Sequence, residues 1–249
     1  FFKGGPVRQA LLTNYYQSLA KVPLLIGIDG EWGLSMRLDS TPTFPRQMVL
    51  GSANEDTLVF LMGKEIGKQC RRMGIHLNFA PVVDVNNNPR NPVINDRSFG
   101  EDKYKVARMG VAYSRGIQSE QVMACAKHFP GHGDTDSDSH YSLPIIKKTL
   151  EQLDTLELYP FRELFKNGVM SVMNAHLFIP SLDSTPNLAS SISPVVVDTL
   201  LKKRMGFQGL VLTDALNMQG VSKFNTLGIL ISKHYRRETI CFCFPNKCR

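Results

Sequence analysis

The chain has 249 residues, 43% of them hydrophobic, enough for one large core and close to the roughly 250 residues of a single α/β barrel. Its formal charge of +7 is gathered at one end: after residue 221 there are six Lys or Arg against one Glu, leaving only +2 on everything before, too little for a footprint on a nucleic acid. No apolar run approaches the roughly 20 residues that span a bilayer, and five cysteines make no even disulfide framework.

In chain order, FFKG (residues 1–4) reads as the end of a first strand and residues 6–20 as a helix. PLLIGID (23–29) is a short, nearly continuous apolar run, the pattern of a strand buried on both faces. In residues 55–73, Leu58, Leu61, Met62, Glu65, Ile66 and Gln69 recur at spacings of three and four with the apolar members on one face, which predicts a helix. LNFAPVVDV (77–85), VMACAKHF (122–129), VMSVMNAH (169–176) and GLVLTDA (209–215) read as further strands, separated by helical segments at 102–119, 149–167 and 194–205. Alternation of this kind builds a parallel sheet.

Five of these strands end in an ionisable residue: Asp29, Asp84, His128, His176 and Asp214. A closed barrel converges all its strand ends on one mouth, whereas an open doubly wound sheet offers a crevice only at its switch point. A helix cap or a turn accounts for one such residue, not for five. The expectation is an α/β fold, a (β/α)8 TIM-type barrel that is incomplete, with about six βα units present over residues 1–221. Residues 222–249 are basic and rich in cysteine, with Cys241, Cys243 and Cys248 close together. They read as a tail of unknown status, with at most a short strand at 228–232, and not as a zinc site, which wants four ligands in paired spacings.

The densest polar cluster is KHFPGHGDTDSDSHYSLP (127–144), between a strand and a helix. Loops of this length at a strand's C-terminal end are commonly functional. Asp138 and His140 are two apart, close enough for the carboxylate to hold the imidazole's tautomer and make His140 a general acid and base near neutral pH. Two rivals stay open: a solvated acidic loop, preferred for Asp134 and Asp136, and a divalent-metal site using His132, Asp134, Asp136, Asp138 and His140. Asp214, at the end of an apolar strand, serves either as an N-cap or as a nucleophile kept ionised by cations such as Lys127, Arg97 and Arg37.

KHFPGHGDTDSDSHYSLP resembles the catalytic loop of glycoside hydrolase family 3 N-acetylglucosaminidases. LIGIDGEWG, PVVDVNNNPRNPVINDRSFGED, VMNAHLFIP and GLVLTDAL resemble further segments of that family, in its order, over residues 1–221. The resemblance implies a retaining β-N-acetylhexosaminidase with Asp214 as nucleophile and His140 with Asp138 as the acid/base dyad. It implies that Asp29, Arg37, Arg97, Lys127, His128 and His176 bind the sugar. A His acid departs from the usual pair of carboxylates ~5–5.5 Å apart. The implied substrates are terminal β-N-acetylglucosaminides of peptidoglycan fragments or chitooligosaccharides, cleaved without cofactor or metal by a bacterial monomer; the charge distribution gives no nucleic-acid partner and the apolar runs give no membrane segment. The chain opens on Phe1 and not on Met, which leaves its compartment undetermined, with a periplasmic or extracellular site favoured over the cytoplasm. A metal-dependent barrel hydrolase and an inactive carbohydrate-binding fragment are the alternatives. Trp32 departs from the family's Q-E-G-G; it either stacks on a sugar face or fills space.

Overall fold

The computed structural model describes residues 3–136, 143–224, 232 and 239–242. In chain order these form α1 (Pro6–Leu19), β1 (Gly27–Ile28), α2 (Gln47–Ala53), α3 (Asp56–Arg72), β2 (Leu77–Asn78), α4 (Lys103–Gln118) and β3 (Met123–Phe129). Then follow α5 (Leu150–Thr155), α6 (Leu158–Lys166), β4 (Ser171–Asn174), a π-helix (Val195–Arg204), β5 (Leu210–Ala215), α7 (Gln219–Ser222) and β6 (Thr239–Phe242).

All neighbouring strands are parallel and their spatial order is their sequence order, β1 through β6. A doubly wound sheet would reverse that order at a switch point. The unbroken order makes this an α/β fold curled into an open part of a (β/α)8 barrel. Alternation of side chains sorts the apolar residues onto two faces. Leu77, Phe79, Cys125, Met173 and Leu212 meet on the inner face, while Val172 and Val211 join the larger outer core built with helix residues such as Val59, Ile66, Tyr113, Ile117, Phe161 and Leu164. Buried on both faces, the strands carry the near-continuous apolar runs visible in the sequence.

Several elements differ from expectation. Lys3 and Gly4 of the FFKG segment are a bend, not strand, and Phe1 and Phe2 lie outside the described residues. The sixth strand comes instead from residues 239–242, within the stretch read as a tail, where Thr239 and Ile240 register with Val211 and Leu212. The run 77–85 is strand only over its first two residues, because Pro81 has no N–H to give the ladder. Pairing continues irregularly past it: Lys127 N–H donates to the Pro81 carbonyl at 3.2 Å and Val83 N–H to the Lys127 carbonyl at 2.8 Å. The expected helix 149–167 is two. Pro160 cannot donate to the carbonyl four residues back, and the chain breaks at Leu156, whose φ/ψ of −122/−76 is not helical. The first piece carries a full capping box from Thr149 and Gln152. Residues 194–205 are helical but wound wider, with Met205 N–H bonded to the Leu200 carbonyl five residues back at 2.9 Å. No helix among the described residues is long and apolar enough to cross a membrane.

Candidate active site at the strand ends

β1 delivers Asp29 and then the turn Gly30–Gly33. Asn78 of β2 clamps this turn, accepting Gly30 N–H at 2.9 Å and donating to its carbonyl at 3.1 Å. The buried hydroxyl of Tyr113 on α4 donates to the Glu31 carbonyl at 2.9 Å. Gly33 sits at φ 93°, a conformation a side chain would strain. The turn is therefore rigid, and it presents two carboxylates.

From β3 come Lys127 and His128. Successive strand residues ordinarily face opposite sides, but the β3–β4 register slips between Lys127 and Phe129, and a bulge of this kind re-aims a side chain. Both residues thus reach the same network. Lys127 is 2% exposed, with Nζ 3.1 Å from Asp29 Oδ1 and 2.7 Å from Glu31 Oε1. Arg97 grips Glu31 in a fork, Nε to Oε2 at 3.0 Å and Nη2 to Oε1 at 2.7 Å. Arg37 Nη2 closes on Asp29 Oδ2 at 2.6 Å.

For Asp29, Glu31, Arg97 and Lys127 burial opposes the charge, and the paired charges outweigh it. For Asp29, Lys127 and then Arg37 hold the carboxyl below its ordinary value against burial. For Glu31, Arg97 and Lys127 drive it far below the carboxylate range. Lys127 is held above its usual value by Glu31 and Asp29, again against burial. The site keeps its charges by pairing them.

Asp84, just past β2, is 1% exposed and accepts three hydrogen bonds: His128 Nδ1 at 2.6 Å, His128 N–H at 3.1 Å and His132 N–H at 2.7 Å. Asp214 ends β5, half-buried, with Oδ1 accepting the Ala215 N–H at 2.8 Å. Burial raises its carboxyl, but His128, His176, that N–H and Lys127 together leave it below its ordinary value. It is an ionised carboxylate at the mouth.

The structure brings Asp29, Arg37, Arg97, Lys127, His128 and Asp214 to one end of the sheet. His176 lies behind Asp214: it is fully buried, with Nδ1 2.8 Å from Ser191 Oγ and Nε2 3.2 Å from the Ala215 carbonyl. Asp138 and His140 lie outside the described residues. The chain leading to them is tied down, with Asn88 donating to Asp136 at 2.7 Å, Asn91 to the His132 carbonyl at 2.7 Å, and Lys148 paired with Asp134 at 3.0 Å and with Glu157. Among the described residues no three His, Cys, Asp or Glu gather as metal ligands. The Arg46 guanidinium lies 4.3 Å over the Trp32 ring, so that ring already has a partner within the protein.

Sequence reasoning passed over Glu31 and left Asp84 as a strand-end acid without a role. The missing signal was the cations: Lys127 and Arg97 beside apolar strands need buried counter-charges, and Glu31 is the nearest acid in sequence to Asp29.

A barrel-type sheet whose strand ends carry paired carboxylates, cations and imidazoles belongs to the (β/α)-barrel class with its polar site at the C-terminal mouth. Within that class the chain belongs to glycosyl hydrolase family 3: the model of the family's N-terminal domain matches residues 4–232. The chain is 36% identical over 230 residues to β-hexosaminidase A of Pseudoalteromonas piscicida, covering 86% of this chain and 38% of that protein. It is 34% identical over 224 residues to a β-hexosaminidase of Thiobacillus denitrificans, covering 87% and 61%. Its fold superposes on a family 3 β-N-acetylglucosaminidase from Paenibacillus sp. strain FPU-7 with a TM-score of 0.92 and 39% identity, over 97% of this chain and 48% of that one. The chain thus spans between 38% and 61% of the length of these relatives.

Proposed function

We propose that this chain carries the catalytic site of a retaining β-N-acetylglucosaminidase acting on terminal β-N-acetylglucosaminides such as peptidoglycan fragments or chitooligosaccharides. The observation that supports this most is Asp214, a carboxylate kept ionised at the mouth beside a network of fixed cations and donors. A nucleophile of this reaction must be charged and must face a group able to bind hydroxyls. In the proposed reaction an Asp214 oxygen attacks C1 of the sugar while His140, oriented by Asp138, gives its proton to the departing aglycone oxygen. The C1–oxygen bond breaks and a glycosyl ester forms. His140 then takes a proton from water, whose oxygen attacks C1 and releases Asp214. Asp29, Arg37, Arg97, Lys127 and His128 bind the sugar's hydroxyls and acetamido group, and His176 holds the backbone of β5 beside the nucleophile.

The test is release of aryl alcohol from an aryl β-N-acetylglucosaminide by the parent chain and by Asp214→Ala. Release by the parent, at least about 1,000-fold above the variant, together with a covalent adduct on Asp214 from a mechanism-based fluorosugar that keeps the 2-acetamido group, is the expected result. A folded parent that binds N-acetylglucosamine without turnover would replace the enzyme by a carbohydrate-binding domain. Sensitivity to a chelator would favour metal-dependent hydrolysis.

A further inference from the structure

Asp84 lies away from the proposed reacting atoms, yet it accepts three hydrogen bonds. Two of its three donors are main-chain N–H groups, those of His128 and His132. These fix both oxygens, so the buried carboxylate cannot rotate away. The third donor is the His128 ring itself, with Nδ1 2.6 Å from Oδ2.

The far side of that ring faces an equally fixed group. Arg97 Nη2 stands 3.3 Å from His128 Nε2, and the guanidinium is held by its fork on Glu31 and by Nη1 donating to the Val93 carbonyl at 3.0 Å. A guanidinium has no acceptor. A proton on Nε2 would put donor against donor there and a lone pair against a carboxylate oxygen on the other side. A proton on Nδ1 satisfies both contacts.

We propose that Asp84 is a positioning residue that locks His128 in the Nδ1–H tautomer, making Nε2 an acceptor. With that lone pair turned to Arg97 Nη2 and Nδ1–H to Asp84, the imidazole bridges a fixed carboxylate and a fixed guanidinium. The same carboxylate anchors one end of a continuous line of paired groups, Asp84, His128, Arg97, Glu31, Lys127, Asp29 and Arg37. Loss of its charge is felt at Arg97 through the histidine. Only the effect on turnover rests on the glycosidase reading; the tautomer does not.

The test is long-range proton–nitrogen NMR on protein labelled at its histidine ring nitrogens, at neutral pH, with His128 assigned by its loss in His128→Gln. The expected spectrum has a pyrrole-type Nδ1 and a pyridine-type Nε2 at His128. In Asp84→Asn the amide can present its NH2 to Nδ1, and the pattern reverses or mixes while a cooperative thermal transition is kept. In that variant kcat/KM falls by about 100-fold, equally for activated and poor leaving groups, because proton transfer to the aglycone is untouched. A wild-type His128 protonated on Nε2, or an Asp84→Asn variant that keeps the Nδ1–H pattern, overturns the proposal. The wild-type spectrum decides alone if the variant does not fold. An Nδ1–H tautomer in a folded chain with no turnover supports the positioning of His128 and counts against the glycosidase reading instead.

Discussion

His132 is held by its own backbone, through N–H to Asp84, and by a 2.7 Å contact between Nδ1 and Thr135 Oγ1. Burial, and then the neighbouring His128, push its pKa down to about 4. The folded chain therefore keeps this ring neutral in a range where the unfolded chain takes up a proton. A depressed imidazole pKa makes stability rise with pH between the folded and unfolded values. Stability is thus fully present above about pH 6.5, declines as pH falls toward 4, and loses on the order of 3 kcal/mol across that window from this residue. Asp29, Glu31, Asp84 and Asp214 are all held below their ordinary values, so their contribution is present above about pH 4 and fails only on further acidification. Urea titrations at several pH values on the parent and on His132→Gln read this directly. The variant should show a shallower slope between pH 6.5 and 4, and equal slopes would remove His132 from the account.

Helix-to-helix contact is set by residues without side chains. α3 and α4 approach so closely that a Cβ on Gly116 would lie 2.2 Å from the Phe60 carbonyl oxygen and 2.8 Å from the Lys64 nitrogen. These are backbone atoms within a helix and cannot yield. Gly116→Ala must push α4 outward, and α4 carries Tyr113, which clamps the Glu31 turn. The expected cost is about 2 kcal/mol, a fall in Tm of roughly 4–8 °C, with a further loss of activity through the displaced turn. Gly5→Ala, where nothing lies within 4 Å of the added carbon, should stay within about 0.5 kcal/mol of the parent. A thermal melt of both variants checks this, and equal Tm values would mean the helices separate freely. Elements of this size were the most legible part of the sequence. Strands buried on both faces and helices with one apolar face each leave their own period in the chain, so α3, α4 and β3 stand close to where the pattern put them. β6 left no such mark, because four residues in a basic stretch carry too little periodicity, and its place is decided by the free edge of β5. The strand-end acids and imidazoles were legible for the same reason as the strands. Glu31 was not, because its role depends on which cations the folded sheet buries beside it, and that is a property of register and of the slip after Lys127.

Charge behaves differently at the scale of the whole molecule. The excess of basic residues lies after residue 221, while the mouth sets Asp29, Glu31, Asp84 and Asp214 against Arg37, Arg97 and Lys127. Among the described residues, four acids face three fixed cations and form no positive funnel there, and nearly every one of these charges is already spent on a neighbour within about hydrogen-bond distance. Such pairs are little screened by salt, whose Debye length is about 8 Å at physiological ionic strength. A site of this kind recognises an uncharged sugar by direct hydrogen bonds and does not steer its substrate from a distance. On a neutral aryl β-N-acetylglucosaminide, kcat/KM should therefore change by less than about twofold between low salt and several hundred millimolar salt. A substrate whose aglycone carries carboxylates, as a peptidoglycan fragment does, reports separately on the basic stretch. If its kcat/KM falls steeply with salt while the neutral substrate's does not, residues after 221 act on the aglycone side. A steep fall for the neutral substrate itself would mean that the ion pairs at the mouth open during turnover, and the rigid network drawn from their geometry would have to be given up.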